Sequence, residues 1–101
     1  MENILQLGGN IELSGFEDVD RASMVVLKKI IGNYARKFSN SCADFQKLAL
    51  AMKPVHITDG SQKFEVHGRL MDGSNTITSE VTERNLFVVI DNALKKLESG
   101  L

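Results

Sequence analysis

At 101 residues the chain has the length of a single domain, enough for one hydrophobic core without metal or disulfide staples. Hydrophobic residues at 43% and charged residues at 25% exclude a disordered chain. The net charge of −1 is not the footprint of a strong nucleic-acid binder, yet it hides a segregation: residues 1–20 sum to −5, 21–53 to +6 and 54–101 to −2. Any anion-binding surface is therefore expected mainly from the middle segment.

In chain order, Met1-Glu2-Asn3-Ile4 lacks the basic start and apolar stretch of a secretory signal. No apolar run approaches the ~18 residues of a membrane span, so no membrane partner is expected. Asn10-Ile11-Glu12-Leu13-Ser14 alternates polar and apolar and reads as a short strand. Gly8-Gly9 before it is a turn, or a bulge if Ile4 to Leu7 extends the strand. From Asp20 to Phe38 the period becomes helical, with Leu27, Ile30, Ile31, Tyr34 and Phe38 on one stripe and Lys28, Lys29, Arg36 and Lys37 toward water. Asp20 can cap this helix, and Val19 with Met24 has the spacing of a hydrophobic staple. Gly32 costs it about 1 kcal/mol relative to alanine unless close packing needs the missing side chain, and Ser39-Asn40-Ser41 is expected to end it.

Three strands follow as a meander. Leu48, Leu50 and Met52, then Phe64, Val66 and Leu70, then Ile77 and Val81 alternate with polar or small residues. Asp59-Gly60 and Asp72-Gly73 lie between these runs, where hairpins need positive φ. One oily and one wet face per strand is the pattern of a sheet covered on one side. Leu86, Ile90, Ala93, Leu94 and Leu97 then mark a second helix, with Thr82 as its expected N-cap, Val81 and Leu86 as a staple, and Gly100 as its stop. The sum is an α+β fold, β-α-β-β-β-α, with a core spanning residues 10–98. It predicts a four-stranded sheet with two helices packed on one face, and a first strand parallel to the second by a right-handed crossover.

No catalytic constellation is legible. His67 falls between Glu65 and Arg69 on a wet face, where a solvated strand histidine is the simpler reading, and no pair with His56 or Cys42 has zinc spacing. Cys42, the lone thiol, lacks an activating neighbour in sequence; it reads as structural and suits a reducing cytoplasm. Gly8-Gly9 precedes a strand, not the helix a phosphate loop needs. Glu80 and Glu83 flank the expected start of the last helix, where capping accounts for them. No enzyme activity, metal, cofactor or small-molecule substrate is expected.

Three strings carry a resemblance. Leu13-Ser14-Gly15 ends the first strand; Phe64-Glu65-Val66-His67-Gly68 forms a later one. Asn85-Leu86-Phe87-Val88-Val89-Ile90-Asp91, followed by Ala93, Leu94, Lys96 and Leu97, opens the last helix. Together with the element order, they resemble the ribosome hibernation-promoting factor and ribosome-associated inhibitor family, in its short form. The chain departs from that pattern in Asn85, where the family prefers Asp, and in Val88-Val89, where it has paired alanines. The resemblance implies a domain similar to a double-stranded-RNA-binding domain. It also implies a cytoplasmic protein that occludes the small ribosomal subunit and represses translation in idle, stressed cells. On this chain the implied rRNA contacts are Lys28, Lys29, Arg36 and Lys37 on the first helix, with Arg84, Lys95 and Lys96 at the second. The alternative is a protein-interaction module on the same fold, a homo-oligomer formed through the wet sheet face where Ala49 and Ala51 leave flat ground between Lys47 and Lys53.

Overall fold

In a computed structural model, which describes residues 4–7, 10–56, 60 and 62–101, the alternating runs and helical stripes resolve into seven elements. These are β1 (Ile4–Leu7), β2 (Ile11–Ser14), α1 (Arg21–Ser41), β3 (Phe45–His56), β4 (Gln62–Asp72), β5 (Asn75–Glu83) and α2 (Leu86–Ser99). The predicted β-α-β-β-β-α order is present from β2 onward. β1 adds a fifth strand, paired antiparallel with β2, and the sheet order is β1-β2-β3-β4-β5. Gly8-Gly9, read as a turn or bulge, lies outside the described residues.

β2 pairs parallel with β3, as a long connection through α1 demands, and the other pairings are antiparallel. Gly73 has φ +59° in a two-residue loop closed by Asp72 opposite Asn75, the positive φ that a tight hairpin needs at its first central position. Gly60 has φ +87°, while Asp59 is outside the described residues.

Register sets the two faces. Leu13, Leu50, Gly68 and Ser79 form one row across four strands, and Ile11, Leu48, Leu70 and Ile77 form another. These rows face the helices. Leu13, Leu48, Leu50, Val66 and Leu70 are fully buried with Leu27, Ile31 and Phe38 of α1 and Val89, Ile90, Leu94 and Leu97 of α2. Gly68 is small because α2 lies on it: a Cβ there would come 3.0 Å from Leu97 Cδ1 and 2.5 Å from Ser79 Oγ. Gly15, with φ +81°, turns the chain against β3, where a Cβ would fall 1.8 Å from the Met52 carbonyl oxygen.

Both helices differ from expectation at one end. α1 continues through Ser39-Asn40-Ser41, because buried Phe38 and Cys42 flank that turn and the Cys42 N–H donates to the Phe38 carbonyl at 2.8 Å. At the start of α2, Thr82 and Glu83 are not caps. They belong to β5, paired with Glu65 and Phe64, and the cap is Asn85, whose Oδ1 accepts from the N–H groups of Phe87 and Val88. At α1 the predicted cap holds: Asp20 Oδ2 accepts from the Ser23 N–H at 3.0 Å, and hydrogen bonding from the Ser23 side chain, together with that backbone bond, keeps its carboxyl below the ordinary range. Val19 and Met24 both pack against the core beside it.

Candidate nucleic-acid interface

α1 presents its basic residues because its apolar stripe is consumed by the sheet. Lys28, Lys29, Arg36 and Lys37 are all exposed. Lys28, Lys29 and Arg36 fall within about a third of the helix circumference and make no ion pair among the described residues. Gly32 lies between them in sequence, and a Cβ added there would meet nothing within 4 Å, so this side of the helix is unobstructed. Val25 and Val26, half exposed, continue the same surface toward the helix start.

The other candidates are engaged. Lys37 Nζ stands 4.0 Å from Glu98 of α2 and 5.0 Å from the centroid of the Tyr34 ring. Lys95 pairs with Asp91 at 3.0 Å, an i,i+4 bridge with the acid N-terminal, and Lys96 Nζ donates to the Glu80 carbonyl at 3.3 Å. Arg84 is exposed at the β5–α2 junction, without an ion-pair partner among the described residues. The seven residues thus do not form one patch: three share α1, one flanks α2, and three are held against α2 or β5.

Sequence reasoning did not find the contact that ties the helices together. The Tyr34 hydroxyl donates to Asp91 Oδ1 at 3.1 Å. Burial, with that carboxylate alongside, pushes the Tyr34 phenol up to about 12. Cys42 behaves as expected of a structural thiol: it is buried, and desolvation, with Asp72 nearby, pushes its pKa up, away from a reactive thiolate.

The opposite sheet face is wet, as the alternation predicts, and mostly neutralised. Lys47 pairs with Glu12 at 3.0 Å and Lys53 with Glu65 at 3.3 Å. A concavity of about 410 Å³ opens over Ala49 and Ala51, rimmed by Ser14, His67, Arg69 and Thr78. His67 Nε2 is hydrogen-bonded to Glu65 Oε2 at 2.7 Å and lies 3.8 Å from Glu80 Oε1. The bond from His67, helped by Lys53, holds the Glu65 carboxyl below its ordinary range. No helix among the described residues is long and apolar enough to cross a membrane. Compared with known proteins, the chain matches no family model and no curated protein.

Proposed function

We propose that the protein is a non-enzymatic ribosome-binding protein of the cytoplasm that occupies the small subunit and represses translation in idle cells. The observation that supports this reading best is the outer side of α1, where Lys28, Lys29 and Arg36 have no carboxylate partner among the described residues. A cation already paired must exchange one anion for another, whereas these three would meet phosphates at no such cost. Each contact would add the counterion release that drives nucleic-acid binding. Arg84 would extend the contact, while Lys37, Lys95 and Lys96 would first have to leave their partners. The α+β fold agrees with the expectation drawn from the resemblance, which is support at the level of fold. Repression here is occlusion, with no bond made or broken.

Cosedimentation with small subunits from starved cells tests the reading. Binding is expected at low salt and should weaken as salt is raised; no binding at low salt refutes it. The second reading, self-association through the open sheet face, is favoured by the concavity over Ala49 and Ala51. Its mark is a mass that rises with concentration in ribosome-free buffer.

A further inference from the structure

We propose that Glu65, His67 and Glu80, on the sheet face away from the helices, form a binding site for a divalent transition-metal ion such as zinc. Register assembles it. His67 of β4 lies directly opposite Glu80 of β5, and Glu65, two residues earlier on β4, points to the same face. One ligand atom from each lies within 4.8 Å of the other two. Zinc bonds of about 2.0–2.2 Å in tetrahedral geometry put neighbouring donors roughly 3.3 Å apart. The observed separations straddle that figure, at 2.7 Å from His67 to Glu65 and 3.8 Å from His67 to Glu80. The third, Glu65 to Glu80, is within 4.8 Å, so closing the site asks for side-chain movements of about 1.5 Å or less.

The charge also fits. Two carboxylates and a neutral imidazole carry −2, offset in part by Lys53, whose Nζ sits 3.3 Å from Glu65 Oε2. A divalent ion compensates that charge and displaces Lys53, which is well exposed and can withdraw into water. A neutral imidazole carries a single proton, so the ion takes the tautomer that holds it on Nδ1 and leaves the Nε2 lone pair free as the ligand. Space is available on the β3 side, where the residue opposite His67 is Ala51. The mix of one nitrogen and two oxygens favours zinc or its transition-metal neighbours over magnesium, which prefers oxygen ligands. With three protein ligands the ion keeps at least one open position, the arrangement of an exchangeable rather than a closed structural site.

The test is a calorimetric titration of the ribosome-free protein with zinc chloride, alongside His67→Ala and Glu80→Gln. Both positions are exposed, so the metal-free variants should melt as the parent does. If one variant fails to fold, the other carries the comparison. One ion per chain is expected, with affinity falling at least about tenfold in each folded variant and magnesium failing to compete. No zinc binding, or an affinity unchanged by either folded variant, would overturn the site. The second result would place the ion elsewhere, for example at Cys42 or His56. Ribosome binding plays no part in this measurement, so its failure and that of the functional proposal are separately visible.

Discussion

Gly32 is the residue whose presence the fold does not require. It occupies the interior of α1, where glycine costs about 1 kcal/mol against alanine, and a Cβ there meets nothing within 4 Å. Gly32→Ala should therefore stabilise the protein by roughly 0.5–1 kcal/mol, read as a higher denaturant midpoint; a lower midpoint would show that the position is not ordinary helix. Gly15→Ala is the opposing case. Positive φ and a backbone oxygen 1.8 Å from the new carbon leave no room for it, and the loss should exceed the ~1 kcal/mol of an ordinary glycine effect. Tyr34 offers a third measurement, since it is the only tyrosine and there is no tryptophan. Its phenol titrates at about 12 in the fold and about 10 when unfolded. The folded state holds the proton more tightly, so this contribution to stability is complete below pH 10 and is lost as pH rises through 12. Phenolate absorbance should show a midpoint near 12. A midpoint near 10 in folded protein would mean that neither the burial nor the Asp91 bond is kept in solution.

Among the elements, α2 tests how far periodicity alone locates a core. Its stripe was legible because leucine, isoleucine and alanine recur on one helical face, and Ile90, Leu94 and Leu97 are indeed fully buried. Leu86 belongs to the same stripe but sits in the first turn and is only half-buried. Ile90→Ala should thus cost about 2–5 kcal/mol, Leu86→Ala distinctly less, and Lys96→Ala under about 0.5 kcal/mol; equal melting temperatures for Ile90→Ala and the parent would refute the packing. The helix start was less legible. Thr82 has capping chemistry and stands at the right distance from Leu86, but its pairing opposite Glu65 keeps it in β5, and Asn85 caps instead. Local signals pointed to Thr82, and the sheet overruled them. β1 was legible only as a conditional extension, because a four-residue run carries too little periodicity to establish a strand. The Glu65–His67–Glu80 cluster was hidden for a related reason. Alternation put His67 on the wet face, yet its neighbour across the strand depends on register, which spacing along one chain does not contain.

For the molecule as a whole, nearly equal numbers of opposite charges become two unlike surfaces. The sheet face pairs Lys47 with Glu12 and Lys53 with Glu65, while the outer side of α1 leaves Lys28, Lys29 and Arg36 unmatched among the described residues. If α1 holds the ribosome, Lys29→Glu with Arg36→Glu should weaken binding and flatten its salt dependence by roughly one unit of log–log slope per phosphate contact, somewhat less on single strands. Both side chains are exposed, so the melting temperature should stay put. Weakening alone does not locate the site, because two added negative charges repel RNA from anywhere on a small protein. Lys53→Glu with Lys63→Glu makes the same change of charge on the sheet. It is the harsher change locally, since it places a second carboxylate beside Glu65 where a salt bridge had been. A loss of affinity confined to the α1 variant therefore reflects contact, since the control carries equal charge and more local disruption. Equal losses in the two variants would leave net charge as the cause and remove α1 as a localised site. Parent-like affinity and slope in the α1 variant would reduce its cations to solvating a helix.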